Sequence, residues 1–425
     1  MNPSPGNQAK SSSWRRWIEP WYVAYALLGV TVAGIAPILL PLAVSRSGSI
    51  AAIGLVMAAF NLGGLAAPLW GDLADRYHWH RGLMIGGLLT TAAALAAFAF
   101  SDSFALWLVF ALAQGAGAAA AATVANLFVV ESHPKEEWDE RIGWLQTFYG
   151  AGQVGGLLLA GVLSQAELRV GLLTAAALTA LALVPGSLVK RAPLGAAKPR
   201  PVLLHPARQA HWSPGSPQHS YHRPSWTALK QIALTQGTPF AAFLAAWLLS
   251  FAGAAAFFSL YPVLMQQLYR VTPEFSSAGF AIAAAIGLAL YAPAGRWSVR
   301  LGPLRVLQAA LVVRLVAFLG LLMLGITSFA NLGGLSLLGF LFVVLAWSLL
   351  SVTGTALAAQ FSPAKEGEGI GVFNASTALA GVAGAALGGG LAESWGYNAV
   401  TVIAVGGVLA GLLLTAAIAR PKKNA

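Results

Sequence analysis

"GDLADRYHWHRG", residues 71–82, sets four charged residues and two histidines in twelve positions. The 25 residues from Ser47 to Gly71 carry no charge, and neither do the 20 from Gly82 to Ser101. A helix that crosses a bilayer needs about 20 mostly apolar residues. The polar knot therefore reads as a short connection between two membrane spans, and the rest of the chain divides in the same way.

The chain is 57% hydrophobic and 9% charged, whereas a soluble domain carries roughly 25% charged residues. Breaking it at charges and Gly/Pro clusters gives twelve spans. They centre near Gly29, Leu65, Ala93, Gly115, Gly152, Leu178, Gly253, Ile286, Val316, Val343, Gly381 and Val408. The stretch from Pro20 to Ser45 is uncharged. It exceeds the about 7–15 apolar residues of a signal-peptide core and reads as a retained first span. The absence of cysteine excludes disulfides, thiolate metal sites and thiol catalysis.

With the N-terminus placed inside, 21 of the 25 Lys and Arg residues fall on the inner segments. Arg46, Arg169 and Arg270 fall outside, and Arg314 lies within a span. This bias predicts an even number of spans with both termini cytoplasmic in the plasma (inner) membrane. It also accounts for the net charge of +11 without a nucleic-acid partner. The longest polar segment divides the chain. A cytoplasmic N-terminus (1–19) precedes a six-helix half (20–189), a cytoplasmic linker (190–238), a second half (239–419) and a cytoplasmic tail (420–425). The linker holds seven basic residues, no acidic ones and His205, His211, His219 and His222. It reads as a solvated strand near anionic headgroups. His219 and His222 supply too few ligands for a metal, so no metal or cofactor is expected. "PSWTALKQIALTQ", 224–236, reads as a short amphipathic helix on the membrane surface.

The halves echo each other. "IGWLQTFYGAGQVGGLLLAGVL" from Ile142 aligns with "IGVFNASTALAGVAGAALGGGL" from Ile370, pairing Gly156 with Gly384, Gly161 with Gly389 and Gln146 with Asn374. "GDLADRYHWHR" aligns with "GRWSVRLGPLR" from Gly295, pairing Gly71 with Gly295, Arg76 with Arg300 and Arg81 with Arg305. A duplicated six-helix unit is a transporter architecture, with its site between the halves near the midplane.

The opening segment resembles the loop signature G-x-L-a-D-R-x-G-R-[RK] of the major facilitator superfamily. Gly71, Leu73, Ala74, Asp75 and Arg76 match it in place, while His78, Trp79 and His80 replace the second Gly and the basic pair. In the second copy Gly295, Arg300 and Gly302 match, and Val299 stands where the acid belongs. "AQGAGAA" (113–119) and "AGQVGG" (151–156) are similar to two further family stretches, with Ala111, Ala151 and Gly152 departing from them. The resemblance implies an all-α membrane protein of twelve transmembrane helices in two pseudo-symmetric six-helix bundles. It also implies a transporter, not an enzyme, working by alternating access. The likeness to drug-efflux members implies export.

The resemblance further implies that Asp75 bonds the N-terminus of the eleventh span, near Glu368 to Gly371, when the halves close on the inside. Arg76 and Arg81 can pair with Glu131, Asp139 or Glu140, and the alternative is that the same charges serve as a topology anchor and a tight turn without any switch. The gating set is thus Gly71, Asp75, Arg76, Arg81, Glu131, Gly295, Arg300 and Arg305. For the cargo, Gln146, Tyr149 and Gln153 share a helical face, as do Asn374 and Thr377. Tyr22, Tyr25, Asn61, Trp247, Ser250, Trp347 and Ser351 complete an aromatic, neutral, modestly polar set. Each of these could instead hydrogen-bond a neighbouring helix.

No Asp, Glu or His lies deep in a span, although ion-coupled carriers place such groups there. Protons stand as the candidate coupling ion, with uncoupled facilitation or uptake of a sugar-like metabolite as the alternative. An enzyme acting on lipid-linked substrates would need a carboxylate, His or metal cluster, and none assembles. Arg314 lies roughly 15 Å deep. Its peripheral helix favours pairing with backbone carbonyls or polar side chains over contact with an anionic substrate or lipid headgroup. The expected partners are a small molecule and the bilayer, and the expected state is a monomer.

Overall fold

The computed structural model describes residues 17–77, 79–134, 137–189, 239–327, 333–363 and 366–418. The side chains of Asp75, Glu131, Asp139 and residues 366–368 lie outside the described set, as do His78, His219, His222 and the segment 224–236. All regular structure among the described residues is helical.

In the first half α1 is Tyr22–Ser45, and α2 is Ile50–Gly64 continued by Ala67–Tyr77. Then come α3 His80–Ala99, α4 Phe104–Ser132, α5 Trp138–Leu163, and α6 Leu168–Leu181 continued by Leu183–Gly186. The second half holds α7 Pro239–Gln267, α8 Pro273–Leu301, α9 Pro303–Ile326, α10 Gly333–Phe361, α11 Glu366–Trp395 and α12 Asn398–Ile418. Eleven of these are long and apolar enough to cross a membrane. The remaining one, α5, has 26 residues, but Gln146, Thr147, Tyr149 and Gln153 dilute its apolar character. The polar knot is mostly helical, since α2 runs to Tyr77. Gly302, at φ 88°, joins α8 to α9 alone, in a backbone that other residues take only with strain.

Lipid supplies no hydrophobic force between helices, so close approach rests on small residues. Where α1 widens to a π-helix over Gly29–Ile35, α5 presses against it. A Cβ at Gly156 would strike the Val30 backbone. Its repeat partner Gly384 meets the Ala252 backbone of α7 in the same way. The duplication read in the sequence is thus a duplication of packing.

The halves meet along α2–α11 and α5–α8, and the outer part of α1 also packs on α7. One buried apolar cluster runs through both halves. A second, around Trp21, Tyr25, Leu88, Phe128 and Tyr149, belongs to the first half alone.

Candidate functional site

The end of the bundle that carries Tyr22 and Ile418 is here called the terminal face. Gly143 and Gly161 stand 18 residues apart on α5, and Gly371 and Gly389 stand 18 apart on α11. Eighteen residues make five full turns and about 27 Å, so each pair lies on one helical stripe. Far from the terminal face these stripes touch the other half. A Cβ at Gly161 would meet the Glu274 carbonyl at 3.3 Å and Ser277 at 3.4 Å in α8, and one at Gly389 would collide with Gly54 of α2. Nearer the terminal face the same stripes meet open space, with nothing within 4 Å of a Cβ at Gly143 or Gly371. The Ala67–Tyr77 section of α2 packs on α4 and α3 of its own half, leaving Leu69 exposed. The halves are joined at the far face and splayed at the terminal face.

A carboxylate secures the far face. Glu393 of α11 accepts the backbone N–H of Ile50, that of Ala51 at 3.0 Å, and the Ser49 hydroxyl at 3.4 Å. It thereby occupies the N-terminus of α2, where helix N–H groups have no partner of their own and negative charge is favoured. In the turn after α11, burial and the Glu393 charge push the Tyr397 phenol pKa up. Nearer the middle, the Asn61 amide donates to the Gly381 carbonyl at 3.4 Å and to its own Met57 carbonyl at 3.0 Å. Asn61 is therefore an interface residue.

In the first half the structure gathers the polar candidates into one group. The Gln146 amide donates to Asn126 Oδ1 at 3.1 Å. The Tyr25 hydroxyl lies beside Asn126 and Gln146 without completing a hydrogen bond. Its ring sits 4.9 Å from that of Tyr149. Gln153, one turn beyond, is half-buried.

The second half gathers aromatic rings instead. Trp247 donates to the Thr377 hydroxyl at 2.7 Å. Its ring is 4.6 Å from Phe373 and 6.1 Å from Trp347. Ser250 and Ser351 bond back to carbonyls of their own helices, the outcome weighed against a cargo role. Asn374 is half-buried. Arg314 is buried, with Nη2 3.5 Å from the Val343 carbonyl and the guanidinium 5.7 Å from the Trp347 ring.

The gating candidates divide. Arg76 pairs with Asp72 at 2.8 Å, one turn back on the same helix. Arg81, Arg300 and Arg305 are exposed, Gly71 is buried, and Gly295 faces open space. Asp75 and Glu131 carry side chains outside the described set.

Sequence reading missed three features. Asn126 joins the Tyr25 group. Glu393 sits at a span end like several other acids, with no local mark of its contact. Glu19 binds His133 at 2.9 Å, Arg141 at 3.2 Å and the Trp21 indole at 2.9 Å, and Arg141 also holds Glu137 at 2.9 Å. That network ties the start of α1 to the ends of α4 and α5. The only signal for it in the sequence was a set of charges crowded at adjacent span ends.

The sequence matches the family model described as Major Facilitator Superfamily over residues 21–358. A search of curated proteins returns no significant match. Several solved structures share the fold. The nucleoside transporter NupG matches with a TM-score of 0.74 at 14% identity, covering 96% of this chain and 100% of that one. A D-xylose-proton symporter matches at 0.68 and 13%, covering 93% and 95%. The human organic anion transporter MFSD10 (TETRAN) matches at 0.62 and 18%, covering 95% and 99%. At these identities the likeness is one of fold.

Proposed function

Because the chain belongs to the major facilitator superfamily, and so is a multi-pass membrane transporter rather than an enzyme, we propose that it is a secondary transporter working by alternating access. Its cargo is a small amphipathic or neutral organic molecule, and the direction is export, as in drug-efflux carriers. The terminal face is cytoplasmic, in line with 21 of the 25 Lys and Arg residues on that side, and the membrane is the plasma membrane. The chain works as a monomer of two halves, 20–189 and 239–419, joined by the linker 190–238.

One observation carries this reading. A stripe on α5 and its repeat on α11 are tightly packed at one end and open at the other. Two rigid halves that rock against each other about a central site produce that asymmetry, and the opposite rocking closes the open end. In the cytoplasm-closed state Asp75 bonds the N-terminus of α11, and Gly71, Arg76, Arg81, Glu131, Gly295, Arg300 and Arg305 shape the surrounding turns. The cargo lies between the Tyr25–Asn126–Gln146–Tyr149 group and the Trp247–Trp347–Thr377 group. Asn61, Gln153, Ser250, Ser351 and Asn374 lie around it. Shared fold with carriers named for nucleosides, xylose and organic anions supports a cargo of that size.

The chain has no cysteine, so single-cysteine variants label cleanly. Gly143→Cys and Gly371→Cys should react with an impermeant maleimide from the cytoplasmic side and be protected by transported cargo. Equal reaction from both sides would refute alternating access. A second reading, uncoupled facilitation or uptake, is favoured by the lack of Asp, Glu or His deep in any span. Liposome flux that ignores a pH gradient would select it over proton coupling.

A further inference from the structure

We propose that the second half contains an anion-recognition site built by Arg314, Tyr291 and Trp347, and that the cargo is an organic monoanion, a carboxylate on an aromatic or apolar body. This rests on the transport reading above and narrows its substrate class.

Arg314 is the twelfth of the 24 residues of α9, so it lies about 17 Å from either end. It is 1% exposed. A guanidinium offers five N–H donors, and this one is poorly matched. Nη2 reaches the Val343 carbonyl only at 3.5 Å, the ring of Trp347 lies 5.7 Å away, and Nε has no acceptor. No acid lies deep in any span to neutralise it. An intramembrane cation is costly and marks a functional pathway by default.

A second donor faces the same ring. The Tyr291 hydroxyl of α8 is buried beside Ser348, Ser351 and Trp347 without completing a hydrogen bond. A carboxylate neutralises the guanidinium and accepts its N–H groups, and the phenol against the same tryptophan is a further donor on that side of α10. One cation calls for one negative charge. A neutral solute would leave the charge unbalanced, and a cation would be repelled. A lipid headgroup cannot supply the anion, because the headgroups begin about 15 Å from the bilayer middle.

The body of the cargo has its own surface. The Trp347 ring lies 5.1 Å from Phe251 and 6.1 Å from Trp247, which the Thr377 hydroxyl holds in place. Trp347 thus links the guanidinium to the aromatic group of α7 and α11.

The test uses the full chain, purified and reconstituted in liposomes. Benzoate, salicylate, 2-naphthoate and decanoate are each paired with the corresponding primary amide, and thermal shift and flux are read for every pair. Wild type should favour at least one carboxylate over its amide by about tenfold or more. Arg314→Gln should erase that preference, while Arg314→Lys should keep most of it. Without ligand, Arg314→Gln should melt about 2 °C or more above wild type, because an unbalanced buried charge is gone. A purely structural arginine would lower the melting temperature when replaced.

Equal handling of acid and amide by wild type, or an unchanged preference in Arg314→Gln, overturns the site while leaving transport intact. Absence of any flux overturns the transport reading, and the thermal shifts still decide the anion site. If Arg314→Gln does not fold, Tyr291→Phe decides, with a preference lowered about threefold in support and an unchanged one against.

Discussion

The two seams between the halves descend from one duplicated unit, yet their ends differ. Along α5–α8, position 165 is Gln and position 299 is Val; at the repeat-matched places along α2–α11 stand Glu393 and Asp75. Both acids belong to one seam, one at each end. At the far end the acid is in use, holding the N-terminus of α2. The matching end of α8 begins with Pro273 and Glu274, which offer one N–H fewer and a charge that repels an acid. On this reading α2–α11 is the seam that switches between two closed ends, and α5–α8 is the seam that bends.

The largest test of that division is steric. Gly54→Ala places a methyl group against the backbone of Ala385 and Gly389. It should cost about 1–3 kcal/mol of far-face closure, by the overpacking range. Gly161→Ala meets its neighbours at 3.3 Å or more and should cost less than about 0.5 kcal/mol. Melting temperatures and far-side maleimide reaction of a reporter cysteine would measure both, and equal costs would erase the distinction between the seams. Next comes Asp75→Asn, which should express normally but favour the cytoplasm-open state and slow flux by about fivefold. Unchanged labelling of Gly143→Cys in that background would remove Asp75 from the switch. The smallest effect is expected at the far end. Glu393→Gln should move the balance away from far-face closure by about two- to fivefold, and Gln165→Glu should leave it where it is. A gain of closure from Gln165→Glu would show that the seams are interchangeable.

Much of this architecture was legible in the sequence, because a bilayer imposes length and charge rules that act on every span. Twelve helices and the Gly156/Gly384 pairing follow from hydropathy, Lys/Arg placement and self-similarity. Even α5, diluted by Gln146 and Gln153, was found from its place between charged segments. Contacts between distant residues were not legible. Glu393 lies 343 residues from Ile50, and nothing in its local sequence distinguishes it from Glu274. Arg141 lies 122 residues from Glu19, and only folding shows that they meet. The depth of Arg314 could be counted from helix 9, but the ring of Trp347 beside it could not.

Gly381 sits at the middle of α11, with about fifteen residues to each side, and touches Asn61 of the other half there. The helix runs unbroken from Glu366 to Trp395. A stiff rod pivoted at its centre is an equal-armed lever, so its two tips travel the same distance in opposite senses. In the proposed rocking of the halves, width gained at one mouth is therefore width lost at the other.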